Sequence, residues 1–120
     1  MTDDQCLFCR IVAGEVPAAV VHETKTVLAF HDIAPKVPVH VLVIPKDHHA
    51  TLADLATANP EVVGDLAVAV GEIALAEGID ASGYRVLFNT GRHAGQEVFH
   101  VHAHILGGAP LGPMVSPSAG

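Results

Sequence analysis

The chain has 120 residues, half of them hydrophobic, which suits one ordinary globular domain and not a disordered chain. Its formal net charge is −7 with only six Lys and Arg, so long nucleic acids are poor partners: binding a phosphate backbone needs a basic face. No apolar run approaches the roughly 20 residues of a membrane span, and the acidic start MTDDQCLFCR lacks a basic-then-apolar leader pattern.

The expectation is therefore a cytoplasmic protein, with residues 1–120 forming a single domain. Cys6 and Cys9 stand first, spaced C-x-x-C. In a cytosolic chain that spacing suggests metal or redox chemistry more than a structural disulfide, and alone it is half of a zinc site. Residues 7–13, LFCRIVA, predict a short helix ended by Gly14 and Pro17. Residues 18–23 and 26–31 are rich in Val and other apolar residues and are separated by Thr24 and Lys25, which predicts a hairpin. Pro35 and Pro38 mark a loop, and HVLVIP, from His40 to Pro45, reads as a buried strand. Asn59-Pro60-Glu61 predicts a helix start, with Asn59 as cap, Pro60 in the first turn and a carboxylate after it. Val62, Val63, Leu66, Val70, Ile73 and Ala74 recur at helical spacing, and Gly78 supplies the stop, giving a main helix of about 18 residues. Tyr84 to Phe88 is a strand at the sheet edge, residues 89–97 a polar Gly-containing loop, and residues 98–106 the last strand. The tail, residues 107–120, is rich in Gly, Pro and Ser and reads as an irregular extension. The order gives an α+β fold: a mostly antiparallel sheet of five strands with one long helix and one short N-terminal helix.

The last strand carries FHVHAHIL, with histidines at every second position. Alternation puts His100, His102 and His104 on one face, about 6.6 Å apart at Cα, and Phe99, Val101, Ala103 and Ile105 on the other, against the main helix. Three readings compete: the wet face of an edge strand, a three-His catalytic metal site, and nucleophilic catalysis. In the third, a neutral imidazole attacks phosphorus through Nε2, which is free only if Nδ1 carries the proton and finds an acceptor.

HVHAHIL resembles the H-φ-H-φ-H-φ-φ signature of the histidine triad (HIT) superfamily of nucleotide hydrolases and transferases. The resemblance extends over CLFCRIVAGEVPAAVVHET, LAFHDIAPKVPVHVLVIPKDH and GYRVLFNTGRHAGQEVFHVHAHILGG, and LGG is similar to the Hint branch, purine nucleoside phosphoramidases. It implies a homodimer whose two five-stranded sheets run together, and a purine nucleotide substrate. It implies that His102 is the nucleophile of a nucleotidyl-histidine pathway that releases AMP or GMP without a catalytic metal. The carbonyl at His100 holds its Nδ1–H, His104 contacts phosphate, and His40 is a fourth histidine behind the triad. Asn89, Gly95 and Gln96 fall at phosphate-side positions, Asp32 at the ribose, and Phe8, Phe30 and Ile33 at the base pocket. Some bacterial members carry C-x-x-C, and the resemblance then completes a structural zinc site with His48 and His100. His49, next to His48, falls outside that motif. Two departures stand out. Glu97 replaces a common Ser near the leaving group, where a carboxylate repels phosphate or binds an amine, and the tail has no Trp, only Met114, for a cross-dimer contact. A dinucleoside polyphosphate hydrolase and a zinc-stabilised nucleotide-binding scaffold are the alternatives.

Overall fold

The computed structural model describes residues 5–115. The elements run α1 (Leu7–Val12), β1 (Val20–Glu23), β2 (Val27–His31), β3 (Val39–Pro45), α2 (Leu52–Ala58), α3 (Pro60–Ala76), β4 (Tyr84–Phe88) and β5 (Ala103–Gly107). The five strands form one antiparallel sheet in the order β1-β2-β3-β5-β4, which is the α+β architecture expected.

The central strand β3 explains why HVLVIP has no polar alternation after its first residue. Val41 and Val43 point to one face, packing with Leu66, Ala69 and Ile73 of α3 and with Ala103 and Ile105 of β5. Leu42 and Ile44 point to the other, packing with Phe8, Cys9 and Phe30 under α1. A strand covered on both faces reads as a continuous apolar run. Truncating fully buried Ile73 or Ile105 to Ala would cost about 2–5 kcal/mol.

Helix α3 has 17 residues, and its stop is the positive φ of Gly78 (74°), which glycine adopts without a Cβ clash. Asn59 makes no side-chain cap, contrary to expectation. Its backbone N–H instead donates to the Leu55 carbonyl and closes α2, so one residue serves as hinge between two helices. Helix α2 itself was not expected. Thr51 accepts from the Asp54 N–H at its start, a T-x-x-D capping signal present in the sequence.

The last strand is shorter than residues 98–106. The Val101 N–H donates to the His49 carbonyl at 2.7 Å, and the His100 carbonyl is taken by the His102 side chain, so neither group is left for the sheet ladder. His100 and His102 therefore precede β5, and of the triad only His104 lies on it. Val101, Ala103 and Ile105 meet the α3 side as expected, whereas Phe99 is half exposed. Gly107 belongs to β5 and not to the tail. A Cβ there would lie 2.9 Å from Ile79 Cδ1, so the run through Leu106 ends on a residue that must be small. Residues 108–115 are irregular, and the expected tail continues over 116–120 outside the described residues.

Candidate active site

Two of the three histidines open onto a cleft of about 750 Å³, on the face of the sheet opposite α3. One end is apolar, built from Leu7, Phe8 and Ile11 of α1, Val16 to Ala18, and Phe30 of β2. The other end is polar, with Asp32, His40, Asn89, Gly95, Glu97, His102 and His104. Phe8 packs edge-on against Phe30 at 5.5 Å and against the His102 ring at 5.1 Å, so the aromatic wall also fixes the imidazole plane. Ile33 lines the same cleft but is 99% exposed, so it rims the cleft without packing into it.

Backbone groups of fixed role decide the tautomers of His102, His100 and His40. His102 is buried, and its Nδ1 lies 2.8 Å from the His100 carbonyl oxygen. A carbonyl only accepts, so Nδ1 carries the proton and Nε2 keeps its lone pair, which no described residue engages by a hydrogen bond. The His104 ring lies beside it, 5.0 Å between centroids and tilted by 56°. Burial, with the neighbouring His102 and His40 adding to it, pushes the His104 imidazole down to about 4 despite the opposing pull of Asp32. His104 is thus neutral at pH 7. His40 Nε2 lies 3.0 Å from His104 Nδ1 and 3.4 Å from an Asp32 oxygen, and burial lowers its pKa too.

Beneath His102 sits a second cluster. His100 has no exposed surface. Its Nε2–H donates to the Pro45 carbonyl at 2.8 Å, which leaves the Nδ1 lone pair facing Cys6 Sγ and Cys9 Sγ, each at 3.5 Å. His48 Nδ1 lies 3.2 Å from Cys9 Sγ. One donor atom from each of Cys6, Cys9, His48 and His100 lies within 4.8 Å of the other three, so the cluster could hold a metal ion. Zinc bonds of about 2.3 Å to sulfur and 2.0–2.1 Å to nitrogen give tetrahedral S···N edges of about 3.5 Å, close to the three S···N distances of 3.2–3.5 Å here. The Pro45 carbonyl orients His100 as an outer partner orients a metal-binding imidazole. Burial also pushes the His100 imidazole down to about 4, which keeps its nitrogen lone pair available at neutral pH.

Gln96 does not reach the cleft. Its amide donates to the Ala50 and Val98 carbonyls and accepts from the Gly91 N–H. The backbone N–H groups of Gly95 and Gln96 close turns onto the Arg92 and Gly91 carbonyls. Of the phosphate-side positions, Asn89 and Gly95 line the cleft, while Gln96 holds the loop in shape. Sequence reasoning missed the carbonyls of Pro45, His49 and Ala50 and the amide of Lys36, because backbone groups leave no residue-type signal.

Residues 13–111 match the HIT domain. The chain belongs to the HIT domain family. It is 41% identical over 113 residues to the purine nucleoside phosphoramidase of Escherichia coli (strain K12), covering 94% of this chain and 95% of that protein. A histidine triad protein from Clostridium difficile superposes with a TM-score of 0.91 at 41% identity, covering 96% of this chain and all of the other. A HIT family hydrolase from Legionella pneumophila Philadelphia 1 follows with a TM-score of 0.84 at 46% identity, covering 93% of this chain and 97% of the other. Among the described residues of this HIT protein, no helix is long and apolar enough to cross a membrane.

Proposed function

We propose that this HIT protein is a cytoplasmic hydrolase of purine nucleoside 5′-phosphoramidates that acts through His102. The observation that carries the reading is the 2.8 Å contact from His102 Nδ1 to the His100 carbonyl, which commits the Nε2 lone pair to the cleft. The base lies on the apolar wall of Phe8 and Phe30 under the rim residue Ile33, the ribose at Asp32, and the phosphate between His102, His104 and Asn89, near Gly95. Nε2 attacks the α-phosphorus, an N–P bond to the protein forms, and the bond to the leaving amine breaks as that nitrogen takes a proton from solvent water. The ring becomes an imidazolium whose Nδ1–H stays on the His100 carbonyl, so the developing charge meets a preorganised dipole. Water then breaks the protein–phosphorus bond and releases the nucleoside monophosphate.

The metal in the second cluster is zinc in this reading, held by Cys6, Cys9, His48 and His100, with His49 outside the set. It would supply a cross-link, with no part in the chemistry. His100 gives its ring to that cluster and its carbonyl to His102, so the cluster fixes the segment that presents the nucleophile. The protein works as a homodimer of single-domain chains joined along β4, an edge strand whose Tyr84 and Val86 are partly exposed.

The test is a screen of the purified protein against adenosine phosphoramidates and dinucleoside polyphosphates. Glu97 lines the cleft, is exposed and has no ion pair among the described residues. Its charge favours an amine leaving group over a polyphosphate, so phosphoramidates should be the better substrates. Faster turnover of dinucleoside polyphosphates would move the protein to the other hydrolase class. Tight nucleotide binding without turnover would make it a scaffold.

A further inference from the structure

The chain of contacts behind His104 begins at a group that can only donate. The Lys36 backbone N–H gives its hydrogen to His40 Nδ1 at 3.2 Å. A neutral His40 that accepts at Nδ1 carries its own proton on Nε2. Two acceptors face that proton: His104 Nδ1 at 3.0 Å and Asp32 Oδ2 at 3.4 Å. Asp32, His40 and His104 together have the composition of a metal triad. The Lys36 amide argues against that use, because an Nε2 bearing hydrogen has no lone pair to offer a cation.

The two acceptors have opposite consequences for the cleft. If His40 donates to His104 Nδ1, the His104 proton must sit on Nε2, and His104 offers an N–H to a phosphate oxygen. If His40 swings its N–H onto Asp32 and opens the 3.0 Å contact to His104, His104 is free to hold its proton on Nδ1 and to present a lone pair that repels the same oxygen. Asp32 Oδ1 is already held by the Ala34 N–H at 2.8 Å, so the carboxylate is fixed while its other oxygen competes. Hydroxyl groups that donate to Asp32 weaken its claim on His40.

We infer that Asp32 and His40 are positioning residues that couple ribose recognition to His104: a nucleotide whose ribose hydroxyls occupy Asp32 turns the His40 N–H hydrogen bond onto His104 Nδ1 and so sets His104 as a phosphate donor through Nε2–H. This rests on the nucleotide reading of the cleft given above and adds to it that the sugar controls the rate as well as the affinity.

The test compares adenosine with 2′,3′-dideoxyadenosine phosphoramidate in the wild type and in Asp32→Asn. Asn retains the Oδ1 acceptor for the Ala34 N–H, so the loop keeps its turn. In the wild type, removing both hydroxyls should lower kcat about tenfold, a fraction of the 10²–10³ lost when a charge-stabilising donor is deleted outright. In Asp32→Asn the two substrates should have kcat values within about twofold of each other. Nitrogen-15 NMR of histidine-labelled wild type gives a second readout, in which AMP shifts His104 toward Nε2–H and 2′,3′-dideoxy-AMP does not. A sugar effect confined to KM, or the same His104 tautomer with both nucleotides, would overturn the coupling and leave the nucleotide reading standing. A wild type that neither turns over the ribose substrate nor binds AMP would overturn both the coupling and the nucleotide reading.

Discussion

Replacing Cys9 by Ser tests whether the second cluster is a zinc site that supports the fold. Cys9 Sγ contacts both His48 and His100, whereas Cys6 Sγ contacts only His100 of the two, so Cys9 is the donor that joins the halves of the site. A serine oxygen sits closer to its Cβ and is a poor zinc ligand at neutral pH, which leaves three donors. A metal that binds only the folded chain stabilises it by about 2.7 kcal/mol at a free concentration one hundred times its Kd. An unfolding entropy of roughly 2.1 cal/mol/K per residue makes 1 kcal/mol worth about 4 °C in a chain of 120 residues. Saturating zinc should therefore raise the wild-type Tm by about 11 °C, under reducing conditions and with chelator-treated protein as reference. In Cys9→Ser the rise should shrink to a few degrees. The stretch of chain from His48 to His102 keeps its other anchors, so folded Cys9→Ser should still turn over substrate. A wild-type Tm that zinc does not move, with Cys9→Ser melting at the same temperature as the metal-free wild type, would refute the site.

The depressed imidazoles make metal-free stability depend on pH. An unfolded histidine binds a proton near pH 6.5 but folded His100 and His104 do so only near pH 4, so the unfolded chain holds more protons between those values. Stability should fall as pH drops from about 6.5 to about 4, and a denaturant midpoint unchanged between pH 7 and 4.5 would contradict this. Glu97→Gln removes a carboxylate near the phosphate, an effect on the order of 1 kcal/mol or about fivefold. Relative kcat/KM for dinucleoside polyphosphates over phosphoramidates should rise by that factor, and no change would place Glu97 outside the leaving-group path. Sedimentation at micromolar concentration should give twice the chain mass, and a species near 12.4 kDa would count against the dimer.

Most of the frame was legible because it rests on periodicity and on glycine and proline. The helical spacing from Val62 to Ala74 fixed α3, and the two-sided apolar run fixed β3. The C-x-x-C pair could be joined to His48 and His100 only through family resemblance, since those partners lie 39 and 91 residues from Cys9 in sequence. The alternation rule placed the three histidines as equals, and the structure separates them. His100 is committed to the cysteines, His102 to the cleft and its own chain's carbonyl, and His104 to His40. That division depends on backbone carbonyls and amides at Pro45, His49 and Lys36, which any residue type could supply. Gln96 illustrates the opposite limit: a polar residue in a phosphate loop carries no mark that says whether its amide faces ligand or loop.

The central claim is that His102 forms a bond to phosphorus. A denaturing quench of the wild-type reaction with adenosine phosphoramidate, followed by intact mass and peptide mapping, measures that bond directly. The account predicts an AMP adduct on His102 that is lost in acid, as an N–P bond should be. It predicts no adduct in His102→Asn, where turnover falls by several orders of magnitude, while His104→Asn loses roughly 10²- to 10³-fold and still forms the adduct. An adduct on another residue, near-wild-type turnover in His102→Asn, or turnover abolished by a chelator in protein that stays folded would contradict it.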